Sequence, residues 1–367
     1  MSKLFLDSLE IQNFRCFKHF SVEQLGRVNL IVGKNSVGKS SLLESLWLYS
    51  NRGSVRTIRD ILITRNEFHR RVLRSSLSEM ENNEEMLTST ISHLFFEHKS
   101  IENNPISITI GPIGSEADKL SLTSGWYVTQ SDADDLPRLR EVSLDDLETA
   151  NERVLVLAVG RGTSPRSLYR VESILRGSTI RNESEPASSN LIRANGLNDA
   201  LISKLWATVA LTDLEEDVIG ALRIIIPQVD RVAVLGESGD TIILVKLKDG
   251  ENRIPLRTLG DGMNRVFGIA LALVNSKNGI LLVDEIENGL HYTVQLELWR
   301  LILKVARRLN IQVFATTHNW DCIEAFQKAT MEDPELGMLI RLENKKGKVV
   351  PTLFDEQELA IATREDI

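Results

Sequence analysis

A short run of residues near the N-terminus has the types and spacing needed to hold a polyphosphate. It reads Gly33-Lys34-Asn35-Ser36-Val37-Gly38-Lys39-Ser40-Ser41. Glycines let backbone N–H groups wrap phosphates, the Lys39 ammonium can reach the β- and γ-phosphates, and the Ser40 hydroxyl can ligate Mg²⁺. This spacing is the P-loop pattern, and it predicts a nucleotide bound together with Mg²⁺.

The residues on either side of this run predict the elements that must position it. The apolar run VNLIV before it predicts a buried strand, and Leu42, Leu43, Leu46 and Trp47 recur at helical spacing after it. We expect Trp47 to lie in the core. Because a strand and a helix flank the pattern in the required order, a chance match is the less favoured interpretation.

Two further segments place polar residues at the ends of apolar strands. GILLV precedes Asp284 and Glu285, and QVFATT precedes His318. Asp284 can orient Mg²⁺ or its water ligands, Glu285 can polarise a water for in-line attack on a γ-phosphate, and His318 can hydrogen-bond that phosphate. The alternative for Asp284-Glu285 is a capped helix start. The alternative for His318 is a structural histidine.

Composition and charge narrow the class of protein. The 367 residues are 42% hydrophobic, enough for a large α/β domain with an elaboration. A net charge of −8 argues against binding nucleic acid through the overall field, although DNA contact through a local patch stays possible. The two cysteines, Cys16 and Cys322, predict neither disulfides nor a zinc site. The sequence offers neither a signal-peptide pattern nor a membrane-spanning apolar run, so we expect a cytoplasmic protein without membrane contact.

The chain divides into three predicted parts. Residues 1–50 begin the head and carry the P-loop, residues 51–230 form a variable insertion of helices and short strands, and residues 231–367 complete the head. Strands alternate with helices in the last part, which predicts a parallel sheet covered on both faces.

Several motifs together resemble the ABC-type ATPase heads of the OLD/RecF/SMC-like group. They are LEIQNFRCF, GKNSVGKS, LGDGMNR, the Walker B strand ILLVDEIENGLH, and TTH. The chain is most similar to short bacterial ATPases related to the OLD (overcoming lysogenization defect) proteins. This resemblance implies an α/β P-loop NTPase with a mixed sheet flanked by helices and an α+β insertion between Walker A and the signature segment. It also implies ATP, in preference to GTP, with Mg²⁺.

The resemblance implies a composite site between two heads packed head to tail, as a homodimer or a higher oligomer. One subunit would supply Gly33 to Ser40, Asp284, Glu285 and His318. The other would supply the signature-like segment Leu259 to Met263, with the amides of Gly260 and Gly262 capping the γ-phosphate. Gly260 stands where serine is usual and Met263 where glutamine is usual, so Asn264 or Arg265 would take over part of this contact. A helix cap is the alternative for this segment.

Three more assignments follow from the resemblance. Glu287-Asn288-Gly289-Leu290 resembles the D-loop that communicates between the two sites. Arg15 either approaches phosphates or forms a surface ion pair. Gln130 is the candidate for the Q-loop glutamine, without a motif to support it.

Full-length OLD nucleases carry a Toprim domain after the head, and the residues after His318 are too few for one. Asp132, Asp134 and Asp135 are read as a solvated turn and not as a metal site. We therefore expect an ATPase that acts in anti-phage defence with a separately encoded effector, such as a Toprim-like nuclease or a toxin. The alternatives are a slow ATP-bound scaffold that traps a toxin, and a RecF-like DNA repair ATPase whose Arg70 and Arg71 form part of a DNA groove.

Overall fold

The fold is described from a computed structural model. It describes residues 3–67, 84–99, 105–130, 138–141, 153–164, 166–177, 189–236, 241–248, 250, 252–333 and 336–354. The strands in chain order are β1 (Leu9–Phe14), β2 (Phe17–Val22), β3 (Val28–Gly33), β4 (Ile106–Gly111), β5 (Leu120–Gln130), β6 (Arg138–Glu141), β7 (Arg153–Arg161), β8 (Ser167–Arg170), β9 (Ser189–Ile192), β10 (Val229–Leu235), β11 (Ile242–Leu247), β12 (Arg253–Pro255), β13 (Ile280–Val283), β14 (Gln312–Thr316), β15 (Gly337–Lys345) and β16 (Lys348–Phe354).

The described residues also form α-helices. In chain order they are α1 (Lys39–Ser50), α2 (Val55–Thr64), α3 (Glu84–Ser92), α4 (Val171–Arg176), α5 (Asp199–Val209), α6 (Asp213–Arg223), α7 (Asp261–Val274), α8 (Tyr292–Arg308) and α9 (Trp320–Glu332). In the C-terminal part of the chain, helices and strands alternate. Among the described residues, we find no helix with both the length and the apolar character needed to cross a membrane.

The strands form three sheets. The central sheet has six strands in the order β16-β15-β3-β14-β13-β9, and all neighbours except β15 and β16 are parallel. The second sheet is antiparallel, in the order β2-β1-β4-β5-β7-β8, with β6 on β5. The third is the small antiparallel sheet β10-β11-β12. The parallel sheet matters for function because the strands before the P-loop, Asp284 and His318 are adjacent in it.

Side-chain alternation along β13 explains how the layers stack. Ile280 and Leu282 pack into a core shared with α1 and the antiparallel sheet, whereas Leu281 and Val283 pack into a core shared with α5 to α9. Successive side chains of a strand point to opposite faces, so a continuous apolar run is what a strand covered on both faces requires. Helix α1 lies between the two large sheets and is buried along nearly its whole length.

Several local expectations differ from the structure. Within the part predicted to contain short strands, β5 is a single strand of 11 residues. The edge strand β9, at the end of a Ser/Asn-rich stretch, is not predicted by the sequence pattern, because only Ile192 of its four residues is buried. Trp47 is only half-buried and lies under the Arg193 guanidinium, 5.5 Å from the ring centre. Arg70, Arg71, Asp132, Asp134 and Asp135 lie outside the described residues.

Candidate nucleotide-binding site

The P-loop connects the end of β3 to the start of α1. Gly33 is the last residue of β3, and Gly38 immediately precedes α1 with a φ of 110°. That φ disfavours any residue with a side chain, and a Cβ on Gly38 would lie 2.7 Å from Cys16 Sγ. Lys34, Asn35 and Ser36 are exposed at the tip of the loop, where a ligand can reach their backbone amides.

Lys39 extends back into the loop that it follows. Its Nζ donates hydrogen bonds to the carbonyl oxygens of Gly33 at 2.8 Å and Lys34 at 3.1 Å. Burial lowers the pKa of Lys39, while the nearby carboxylates of Asp284, Glu285 and Glu287 oppose that shift. The loop therefore holds a cation whose natural additional partner is an anion bound in the loop.

Asp284 is held by two hydroxyl groups that come from different elements. Ser40 Oγ, on α1, donates to Asp284 Oδ2 at 3.0 Å, and Thr316 Oγ1, at the end of β14, donates to Asp284 Oδ1 at 2.6 Å. The hydroxyl of Ser40 and the carboxylate of Asp284 are hard oxygen donors of the kind Mg²⁺ prefers. This donor set fits a magnesium ion that completes its coordination with phosphate and water oxygens.

Glu285 occupies a strained backbone position at the end of β13. Its φ is 48°, which is uncommon for a residue other than glycine and occurs often at functional sites. The Glu285 N–H donates to Thr316 Oγ1 at 2.8 Å, which fixes the backbone from one side. Its side chain remains partly exposed, so it can reach a water in the cleft.

Arg265 fixes the same backbone from the other side. Its Nη2 donates to the carbonyl oxygens of Asp284 at 2.6 Å and Glu285 at 2.7 Å, and its Nη1 donates to the Arg193 carbonyl at 2.8 Å. The residue is only 7% exposed. The expectation that Arg265 contacts a nucleotide on an opposite subunit is therefore wrong, because its guanidinium is already buried and bound within its own chain.

His318 lies at the same edge of the sheet as the P-loop. Its Nδ1 is 3.9 Å from Glu285 Oε1 and 3.4 Å from Glu287 Oε1. It lines a cavity of about 860 Å³ together with Gly33, Lys34, Asn35, Ser36 and Val37. The structure thus brings together the P-loop, Asp284, Glu285 and His318, whereas Ser41 lies behind them on α1, with its hydroxyl 3.5 Å from Arg65 Nη2.

The signature-like segment lies elsewhere in the same chain. Gly260 precedes α7 and Gly262 lies in its first turn, where a Cβ would be 3.1 Å from the Gly289 carbonyl oxygen. Asn264 and Asn288 line a second cavity, of about 630 Å³, beside this segment. The signature-like and D-loop-like residues therefore form one surface next to that cavity, separate from the cavity at the P-loop.

Arg15 is part of a buried ion-pair network and not of a surface pair. Its side chain is 7% exposed, and it contacts Glu67 through Nη1 at 2.7 Å and Glu44 through Nε at 2.8 Å. Arg65 contacts the other oxygen of Glu44 at 2.9 Å. This network joins the turn between β1 and β2 to α1, so Arg15 supports the P-loop helix and does not approach phosphates.

The structure also revises the search for a Q-loop residue. Gln130 ends β5 in the antiparallel sheet and pairs there with Arg138, so it does not lie at the carboxyl edge of the parallel sheet. Arg193 follows β9 at that edge, because Ile192 is the register partner of Val283 and accepts a hydrogen bond from the Asp284 N–H at 2.8 Å. Sequence reasoning missed Arg193, Thr316 and the role of Arg265. Of these three, only Thr316 had a signal in the sequence, namely the pair of threonines directly before His318.

The chain matches two protein families and several known proteins. A family described as an AAA ATPase domain matches residues 5–204, and a second AAA domain family, whose description also names a Type IV TA system, matches residues 139–321. An "ATP/GTP phosphatase" of Helicobacter pylori (strain ATCC 700392 / 26695) is 23% identical over 345 residues, which is 89% of each chain. The "DNA replication and repair protein RecF" of Clostridioides difficile (strain 630) is 46% identical over 55 residues, 15% of each chain.

The fold is similar to that of a solved SMC head. The crystal structure of the SmcHead bound to the C-winged helix domain of ScpA aligns with a TM-score of 0.50 and 13% identity, covering 96% of this chain and 99% of that one. This likeness confirms the predicted P-loop fold with mixed sheets flanked by helices. Because the first family match covers more than half of the sequence, the chain belongs to the AAA ATPase domain family.

Proposed function

We propose that this protein binds ATP with Mg²⁺ and hydrolyses it to ADP and phosphate. The observation that carries the proposal is the hydrogen bond between Ser40 and Asp284, which joins the P-loop to the acidic end of β13 beside Glu285 and His318. A P-loop alone is compatible with binding only. The addition of an acidic residue beside it supplies a base for water, which hydrolysis requires.

Each residue has a role that its position supports. Lys39 and the loop amides hold the β- and γ-phosphates, and Glu285 accepts a proton from the water that attacks the γ-phosphorus in line. The bond to the bridging oxygen breaks, and ADP leaves with that oxygen. His318 donates a hydrogen bond to a γ-phosphate oxygen. Ser40 and Asp284 would hold Mg²⁺, which would supply charge neutralisation at the β- and γ-phosphates.

We also propose that two copies pack head to tail to complete the site. The helix α7 starts at Asp261, after the exposed Gly260, next to the second cavity, so the amides of its first turn can cap an anion on another molecule. The resemblance of the 259–263 segment to an ABC signature supports this arrangement. We keep the division of the chain at residues 50 and 230 as part of this proposal, with the middle part as the variable insertion.

The biological role is the finer part of the proposal. The resemblance to OLD-like ATPases supports a regulatory ATPase of anti-phage defence, acting in the cytoplasm with a separately encoded effector. The second family's description, which names a Type IV TA system, favours a toxin-linked variant of the same role. In that variant the ATP-bound protein acts as a slow scaffold.

The test is phosphate release from purified protein with Mg-ATP, beside Glu285→Gln. We expect the variant to hydrolyse at least about 100-fold more slowly while it binds ATP like the wild type, because only the base is removed. Glu297→Gln, which removes an exposed carboxylate on α8, is the matched control and should hydrolyse normally. Equal rates for wild type and Glu285→Gln would refute the assignment of the base. Tight ATP binding without release would favour the scaffold.

A further inference from the structure

Glu287 is a buried carboxylate that holds His318 at two points. The residue is 7% exposed, and its Oε1 accepts a hydrogen bond from the His318 backbone N–H at 3.3 Å. The same oxygen lies 3.4 Å from His318 Nδ1, nearer than Glu285 Oε1 at 3.9 Å. One oxygen therefore contacts both the backbone and the ring of a single histidine.

Two cations and a buried thiol lie near the Glu287 carboxylate. Burial lowers the pKa values of Lys39 and Arg265, and the charge of Glu287 opposes both shifts, so two cations lie within range of that charge. Burial, and next the charge of Glu287, raise the pKa of the Cys322 thiol to about 12. Its second oxygen, Oε2, is buried and has no hydrogen-bond partner among the described residues. A buried carboxylate this poorly satisfied costs stability, which is the usual sign of a functional constraint.

We propose that Glu287 positions His318 for the reaction, an inference that rests on the proposed function. Glu287 holds the ring with Nδ1 turned toward its carboxylate, at 3.4 Å, and this leaves Nε2 for a ligand in the cavity that His318 lines, where the Nε2–H can donate to a γ-phosphate oxygen. Glu287 also begins the segment Glu287-Asn288-Gly289-Leu290, and Asn288 Nδ2 donates to the Ala194 carbonyl at 2.9 Å. A shift of this segment would therefore move the histidine with it.

A first experiment reads the imidazole directly and needs no activity. Protein labelled with ¹⁵N-histidine contains six histidines, and His318→Ala identifies the signals of His318. We expect Glu287→Met to shift the Nδ1 signal of His318, because the carboxylate that faces this nitrogen is gone, while Nε2 keeps its proton. Methionine removes both oxygens at similar volume in a buried position. Glu287→Gln keeps one acceptor and should give an intermediate shift.

A second experiment tests whether Glu287 acts through His318. We expect Glu287→Met to lower kcat by about 10-fold with little change in KM, because outer-shell partners of a working histidine have effects of that size. In a His318→Ala background the same substitution should cause no further loss. Asp321→Asn, which removes an exposed carboxylate three residues from His318, is the control and should hydrolyse normally.

The outcomes separate this inference from the proposed function. Unchanged His318 signals in both Glu287 variants would overturn the inference, and so would a full additional loss of kcat in the His318→Ala background. If the wild type does not hydrolyse ATP, the proposed function fails, whereas the histidine spectra still decide whether Glu287 holds the ring of His318. Should Glu287→Met fail to fold, Glu287→Gln carries both measurements.

Discussion

Ser40 and Asp284 stand 244 positions apart in the chain, yet the Ser40 hydroxyl donates to Asp284 Oδ2 at 3.0 Å. The parallel sheet explains this contact, because β3 and β13 both end at its carboxyl edge with β14 between them. Ligands of open α/β sheets bind at that edge. Thr316, at the end of β14, contacts the same carboxylate, so three neighbouring segments meet at one acidic side chain.

Thr316→Val should impair hydrolysis more than ATP binding. The substitution keeps the shape of the side chain but leaves Asp284 Oδ1 and the Glu285 N–H without their hydroxyl partner. Losing hydrogen bonds at a buried site costs about 1–3 kcal/mol, and about 1.4 kcal/mol corresponds to a tenfold change. We expect kcat to fall by about 10-fold or more in a steady-state phosphate-release assay.

The control for this change is Thr330→Val. Thr330 is also buried, and its hydroxyl donates to the Gln327 carbonyl oxygen within α9, away from the acidic residues. This variant should keep the wild-type rate. An equal loss of activity in both variants would mean that removal of a buried hydroxyl, and not the orientation of Asp284, is responsible.

Lys39→Met should weaken ATP binding itself. The ammonium is held by the carbonyl oxygens of Gly33 and Lys34, so the substitution removes the cation that the loop places beside the phosphates. We expect at least about a 10-fold loss of affinity by isothermal titration calorimetry, since charge-assisted contacts are among the strongest in such sites. Lys304→Met removes an exposed lysine on α8 and should bind normally. Unchanged affinity in Lys39→Met would contradict the P-loop assignment.

Arg15→Ala should lower the free energy of unfolding and should not act on the chemistry directly. The substitution leaves the carboxylates of Glu67 and Glu44 without one of their cations, and Glu44 is only 3% exposed. Breaking a buried pair costs about 3 kcal/mol because a buried charge loses its partner. Urea unfolding measures this change. Arg300→Ala, which removes a guanidinium that also contacts two glutamates but at the surface, should leave the free energy of unfolding close to that of the wild type.

Residue types and local spacing were sufficient to predict the strands and helices that carry the site. An apolar strand followed by glycines and a lysine, or by Asp284-Glu285, is a local pattern, and the parallel sheet follows from alternating strands and helices. The same reasoning could not find the partners of these residues. Arg265 and Thr316 contact the acidic residues only because of how α7 and β14 pack against β13, which depends on long-range register.

Short or isolated features were the hardest to predict. Strand β9 has four residues, of which only Ile192 is fully buried, so its hydrophobic pattern is too short to identify. Its identity matters because it places Arg193 at the site. The role of Arg15 depended equally on residues far along the chain, since no local signal indicates that the buried Glu44 and the partly buried Glu67 lie beside it.

The pH dependence of stability should reveal the ion pair around Glu10. Hydrogen bonds from Lys119 and then His19 lower the pKa of Glu10 from 4.5 to about 2. A carboxylate with a lowered pKa in the folded state stabilises the fold above its unfolded pKa, and this contribution is lost as the pH falls toward its folded pKa. The wild type should therefore exceed Glu10→Gln in free energy of unfolding at pH 6, and the difference should shrink between pH 4.5 and about pH 2.

Urea unfolding at pH 6, 4.5 and 3 measures this difference. The control is Glu23→Gln, which replaces an exposed glutamate. A constant difference across that range would show that the Glu10 pKa is not lowered.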